Sequence, residues 1–170
     1  VLSGFTLGAC VALQYALDYT DEVAGLLLMT VAMRPKERAP GSLEFRLSAA
    51  KDATVYEEWL DAMRHTMMFI EPELREKLIE RHRVVGPISQ YNDLVTIDKF
   101  DVRDRIGELK TPLTLVRGVD DPGKPAEYEL EIHQAVPGSK YIKLDNAGHF
   151  PMAERPDDIN RAIEELMAKL

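Results

Sequence analysis

Apolar positions along the chain follow two rhythms, and where they change defines its parts. Val1-Leu2-Ser3 reads as the end of a strand, and Gly4-Phe5-Thr6-Leu7-Gly8 as a tight turn. From Leu7 to about Tyr19 the period is helical: Leu7, Cys10, Val11, Gln14 and Leu17 share a face, and Ala9, Ala12 and Ala16 permit close packing. Thr20-Asp21 interrupts that helix, and residues 24–30 form the continuous apolar run of a buried parallel strand. Strand, helix and strand at this spacing predict a βαβ unit.

The pattern then shifts. Residues 34–42 are basic and carry Pro and Gly, which reads as a loop. From Ser48 to about Ile106 the pattern is helical and heavily charged, with Tyr56, Trp59, Leu60, Met63 and Met67 on one stripe. Pro72 suits the first turn of a further helix whose Leu74, Leu78 and Ile79 point inward, and Gly86-Pro87 breaks it. An inserted layer of helices over residues 34–108 is expected, between core segments 1–33 and 109–170. The α/β rhythm returns with a strand at 113–117, a turn-rich loop at 118–125, a helix at 126–136 and a strand at 141–144. A loop at 145–152 follows, then a helix from Pro156 to Leu170 with Ile159, Ile163, Leu166 and Leu170 on one face. The predicted fold class is α/β: a parallel sheet flanked by helices, with a helical insertion.

Composition narrows the function. Among 170 residues, 45% are apolar and 29% charged, the balance of a globular chain. The net charge of −8 repels phosphate backbones, so no nucleic-acid partner is expected. No apolar run approaches membrane-spanning length, so no membrane partner is expected either. Cys10 is the only cysteine, which excludes an internal disulfide and fits a reducing, cytoplasmic compartment. Val1 is not Met and the chain opens on a Gly-rich turn, so a fragment, a processed chain or a split product is expected.

Three strand ends carry candidate chemistry. Gly4-x-Thr6-x-Gly8 lies between a strand and a helix, the setting of a nucleophile elbow, whose glycines keep strand and helix from colliding. The helix begins at once, so its first amide, that of Leu7, faces a developing oxyanion. Taken alone, such a turn is more often only a packing device. Gly118-Val119-Asp120-Asp121-Pro122 follows the next strand but one, and a carboxylate there can orient a histidine. The two aspartates compete, and both also suit a solvated turn. Asn146-Ala147-Gly148-His149-Phe150 follows the last strand, and a glycine-flanked loop histidine can serve as a base. His65, His82 and His133 sit in charged helical stretches and read as structural. Cys10 reads as a small core residue. Asp145 and His149 are four apart with no third ligand in view, so neither metal nor cofactor is expected.

Nucleophile, acid and histidine in that order at successive strand ends resemble the α/β-hydrolase superfamily. The resemblance spans nearly the whole chain and includes Ala-Leu-Gln-Tyr-Ala at 12–16, Asp-Glu-Val-Ala-Gly at 21–25, Phe-Asp-Val-Arg-Asp-Arg at 100–105 and Glu-Arg-Pro at 154–156. It is similar to the capped, esterase-like members. The resemblance implies Thr6 as nucleophile, Asp121 as acid, through the spacing Gly-x-x-Asp-x-x-x-Pro, and His149 as base. It implies an ester-like small-molecule substrate held near Phe5, Trp59, Met63, Met67 and Phe150, although the methionine stripe also suits the insertion's own core. Two departures stand out. Thr occupies the usual Ser position, and the superfamily's N-terminal strands, with the loop giving the second oxyanion amide, are absent. An N-terminal segment or a second copy is therefore expected to complete the sheet. Other expectations are a catalytically silent relative acting as a binding module, or lyase or acyltransferase chemistry on the same scaffold.

Overall fold

The computed structural model of the protein describes residues 1–35 and 40–170. Among the described residues four short strands, β1 (Leu2–Phe5), β2 (Leu26–Met29), β3 (Leu113–Gly118) and β4 (Lys140–Leu144), pair side by side in chain order, all parallel. Leu28 lies opposite both Gly4 and Leu115, and Val116 opposite Ile142. Every residue of β2 is buried, because helices cover both faces. Leu26, Leu27 and Leu28 are fully buried, worth roughly 1.5–3 kcal/mol each.

Alternation along the strands sorts the two cores. Leu26, Leu28, Leu113 and Leu115 face one way, against Leu13, Ala16 and Leu17 of α1 (Leu7–Asp18) and Ile132 of α6 (Glu127–Ala135). Leu27, Met29, Val116 and Leu144 face the other, against Ile159, Ala162 and Leu166 of α8 (Pro156–Met167). The helical face expected for α1 is partly displaced. Leu13, not Val11, enters the core, and Val11 is 58% exposed.

Between β2 and β3 the described residues form four α-helices, α2 (Ser42–Ala49), α3 (Ala53–Thr66), α4 (Pro72–Val85) and α5 (Pro87–Asp98). Helix thus begins at Ser42, earlier than the sequence pattern suggests, and residues 36–39 of the expected loop lie outside the described residues. Asp52 caps α3 by accepting from the Thr54 amide. Pro72 and Pro87 each open a helix, and Gly86 at φ 82° separates them. The layer has its own core of Ala49, Tyr56, Trp59, Leu60, Met67, Ile70 and Ile79. Leu74, expected to point inward, is exposed on the outer face of α4. A buried polar link ties α3, α4 and α5: the Tyr56 hydroxyl donates to His82 O at 2.6 Å, and Gln90 Nε2 donates to both. The layer meets the sheet domain where α5 packs on α1 and where its core touches Phe150 and Ala153. The returning segment rejoins the sheet before residue 108: the Val102 amide donates to Met33 O, and Val102 and Ile106 lie in the sheet's core. The expected 145–152 loop contains the start of a short helix, α7 (Pro151–Glu154). Among the described residues, no helix is long and apolar enough to cross a membrane.

Candidate active site

Strain marks one edge of this sheet. The described non-glycine residues with positive φ are Thr6, Thr30 and Asn146, each just beyond the carboxyl end of a strand. Such conformations cost about 1–3 kcal/mol each and gather at functional sites. Parallel sheets bind their ligands at the same edge.

Thr6 joins β1 to α1 at φ 47°, ψ −112°. For a β-branched residue this is an unfavourable backbone, held by Thr6 N donating to Met29 O and Cys10 N donating to Thr6 O. The amides before Cys10 in that turn have no intrahelical acceptor, which leaves Leu7 at the dipole's positive end. Gly4 is required sterically, since a Cβ there would lie 2.5 Å from Gly8 O and 2.6 Å from Ala9 Cα. Gly8 is different: a Cβ would meet nothing within 4 Å. The expectation that both glycines prevent a collision therefore holds only for Gly4, because Gly8 is exposed and faces open space.

Of the competing aspartates, Asp121 faces the histidine. Its carboxylate lies 2.9 Å from His149 Nδ1 and accepts from the Gly123 amide at 2.8 Å. The Asp121 side chain is 2% exposed and that of His149 19%. Burial works against the Asp121 charge, but His149, the Gly123 amide and Arg117 outweigh it and hold the carboxyl below its usual range. Asp120 is exposed and serves through its backbone: its amide donates to Ala147 O at 2.9 Å, beside Val119 N donating to Leu144 O. The acid and histidine loops are therefore laced directly together. Gly118 makes this possible, because a Cβ there would lie 2.1 Å from Gly148 O.

The rings of Phe5 and Phe150 lie 5.2 and 5.1 Å from that of His149, and 5.3 Å from each other. Phe5 directly precedes Thr6, so the elbow and the histidine loop share an apolar wall. Among the described residues the Thr6 hydroxyl makes no hydrogen bond to His149. Trp59 and Met67, expected near substrate, are buried in the insertion's core; the Arg46 guanidinium covers the Trp59 face at 3.9 Å. Met63 is half-buried beside that core, as is Phe150. Cys10 is buried and its thiol is pushed up to about 11, chiefly by desolvation, which makes it a poor nucleophile at neutral pH. Among the described residues, no three His, Cys, Asp or Glu side chains cluster as metal ligands.

Two groups escaped the sequence reading. Glu154 lies under the histidine loop and accepts from the Gly148 amide at 2.6 Å. Burial raises its carboxyl, partly offset by the amides of Gly148 and Phe150 on either side of His149. Arg117, in β3, is buried and paired with the fully buried Glu129 of α6. A charge at the end of an apolar strand was the available signal for Arg117. Glu154 gave none beyond its place in Glu-Arg-Pro, because only the fold brings α7 back beneath the loop.

Comparison with known proteins adds the lineage. The sequence model of the alpha/beta hydrolase family matches residues 1–162. The chain is 24% identical over 170 residues to a 2-hydroxy-6-oxo-6-phenylhexa-2,4-dienoate hydrolase of Comamonas testosteroni, covering 94% of this chain and 59% of that protein. Its structure resembles a thermophilic esterase from Thermogutta terrifontis with a TM-score of 0.80 and 25% identity, covering 98% of this chain and 64% of that one. An enol-lactonase from Burkholderia xenovorans LB400 superposes with a TM-score of 0.78 at 20% identity, over 98% of this chain and 64% of that one. The chain thus spans about three fifths of the length of these relatives. With a match over nearly its full length, a parallel sheet flanked by helices, and an elbow at the end of β1, the chain belongs to the alpha/beta hydrolase family.

Proposed function

We propose that the complete protein hydrolyses an ester or related acyl bond of a small apolar substrate. The observation that carries this reading is the buried Asp121–His149 pair at 2.9 Å, set beside the strained elbow residue Thr6 through the Phe5 ring. Asp121 accepts from Nδ1–H, which leaves His149 Nε2 free to act as a base. Thr6 Oγ1 attacks the carbonyl carbon and passes its proton to Nε2, while the Leu7 amide donates to the oxyanion. His149 returns the proton to the departing alkoxide, and water then attacks the acyl-threonine by the same route, regenerating Thr6 and releasing the acid. The Phe5 and Phe150 rings favour an apolar acyl group. Helices α2 to α5 act as the cap, with Met63 at its inner edge and Trp59 and Met67 stiffening it from within. The relatives' names, a dienoate hydrolase, an esterase and an enol-lactonase, support hydrolysis as the reaction class. The single buried thiol suits a cytoplasmic setting.

The test is substitution at the elbow. Thr6→Ser in the complete protein is expected to raise kcat for p-nitrophenyl acetate, because it removes the β-methyl from a positive-φ residue. Thr6→Ala is expected to abolish hydrolysis. Unchanged hydrolysis by Thr6→Ala would place the nucleophile elsewhere. A second reading, a silent relative that binds its ligand without turnover, is favoured by the missing Thr6–His149 hydrogen bond; inactivity of both the natural protein and Thr6→Ser would support it.

We also propose that the free edge of β1 is covered in the working protein, by an N-terminal segment or a second copy. Supporting this, β1 pairs with β2 alone among the described residues, and Val11, Tyr15 and Tyr19 are exposed on α1, where with Thr96 and Phe100 they line an open apolar groove of about 310 Å³. An uncovered strand edge beside apolar surface invites association. Light scattering on the 170-residue chain is expected to show dimers or aggregates, reversed by an added N-terminal segment. A cooperatively folding monomer would overturn the idea.

A further inference from the structure

Burying a guanidinium in a sheet is costly unless its donors are well used. Arg117 is 6% exposed, and Glu129 is wholly buried. The Arg117 guanidinium makes three contacts: Nη1 donates to Glu129 Oε2 at 3.1 Å and to Pro125 O at 3.1 Å, and Nη2 donates to Lys124 O at 2.8 Å. Two of the three acceptors are backbone carbonyls at the far end of the loop that begins at Gly118 and carries Asp121. The near end of that loop is the strand holding Arg117 itself. One planar group therefore closes the loop on its own root. Glu129 orients that group from α6 through Oε2, while its buried Oε1 has no hydrogen-bond partner among the described residues.

Asp121 depends on this closure. Its carboxylate must reach across to His149 Nδ1 while the Gly123 amide holds its other oxygen. Gly123 lies one residue from the clamped Lys124 carbonyl. A loop released at 124–125 loses the fixed end from which Gly123 sets the carboxylate's orientation. The positive charge nearby also favours the ionised Asp121 that the base needs. The same carbonyl contacts that satisfy the buried donors also tie down the far end of the loop.

We infer that Arg117, seated on Glu129, is a positioning residue that holds the Asp121 loop in the geometry where the carboxylate meets His149. The inference deepens the proposed acyl hydrolysis and rests on that reading for its kinetic arm alone. Lysine cannot replace the function, because an ammonium presents a point charge where a planar fork spans three acceptors.

The experiment uses the complete protein labelled with ¹⁵N-histidine, in natural form and as Arg117→Met, Arg117→Lys and Glu129→Gln. The first readout is the downfield His149 N–H proton resonance, which persists only while Asp121 shields that proton from exchange with water. The second is the split of kcat and KM with p-nitrophenyl acetate. Circular dichroism reports the fold. In folded Arg117→Met, the resonance is expected to vanish and kcat to fall about 10²-fold, the scale of a misplacement near 1 Å, with KM little changed. Arg117→Lys is expected to lose the resonance as well, and Glu129→Gln to weaken it. A folded Arg117→Met with resonance and kcat intact overturns the inference. If Arg117→Met does not fold, Arg117→Lys decides, and natural behaviour in that variant overturns it equally. If the resonance responds as expected but the natural protein hydrolyses no ester, the positioning role stands and the proposed activity falls.

Discussion

Asp121→Asn in the complete protein is expected to lower kcat for an activated ester about 10⁴-fold, with KM nearly unchanged. The reason is tautomeric. An ionised Asp121 accepts from His149 Nδ1–H and leaves Nε2 as the proton acceptor. An asparagine amide can instead donate to Nδ1, which puts the ring proton on Nε2 and blocks the attack step. The pH dependence of stability separates this from unfolding. Asp121 is held below the usual carboxylate range, so it contributes stability that is present above its unfolded value and lost as pH falls through its folded value. Glu154 and Glu129 are raised by burial, so their contribution has the opposite sign: present below their unfolded values and lost as pH rises through the folded ones. Denaturant titrations of the natural protein and the Asp121→Asn variant between neutral and acid pH should therefore converge as pH falls. Equal kcat in the two proteins would remove Asp121 from the chemistry.

The second large effect is expected at Gly118. A methyl group there would sit 2.1 Å from Gly148 O, 2.5 Å from Ala147 O and 2.6 Å from Ala147 C, all backbone atoms that cannot rotate aside. Relief requires separating the acid and histidine loops, which breaks the Asp120–Ala147 and Val119–Leu144 hydrogen bonds and carries Asp121 away from His149. Gly118→Ala is expected to cost about 3 kcal/mol or more, at the upper end for overpacking, and to lower Tm by roughly 10 °C. Hydrolysis should be lost at temperatures where the variant is still folded. Gly107→Ala is the control, since a Cβ there meets nothing within 4 Å. A Gly118→Ala protein with natural Tm and activity would mean that the loops are not laced as described.

Glu154 sharpens the same point. Its carboxylate accepts from the amide of Gly148, which directly precedes His149. The histidine is thus held through its ring by Asp121 and through its backbone by Glu154, and the acid loop is held by Arg117. The Asp121–His149 contact joins loops 28 residues apart and the other two fix each loop from nearby, all at the edge where Thr6, Thr30 and Asn146 carry strained backbones.

The sequence by itself determined the local elements and their order. The apolar run at 24–30 marked β2, because a strand covered on both faces must be apolar throughout. Gly4, Thr6 and Gly8 marked the strand-to-helix turn, because the residue types a tight turn accepts are few. The spacing of Asp121 and His149 after their strands was legible for the same reason. The family spacing favoured Asp121 over Asp120, and the tertiary structure supplied the physical reason: pairing of the two loops through the Asp120 amide and Ala147 O directs Asp121 inward to His149. Only the tertiary structure decided that Val11 stays outside while Leu13 enters the core, because the face of α1 that is buried depends on which elements lie beside it. Trp59 and Met67 went to the insertion's core by the same logic: an apolar stripe specifies burial, and the partner that buries it is chosen by packing. Arg117 and Glu154 take their meaning from contacts across 6 to 12 residues and between separate elements. Periodicity reports on one element at a time, whereas these roles exist only once the loops at the strand ends are folded against one another.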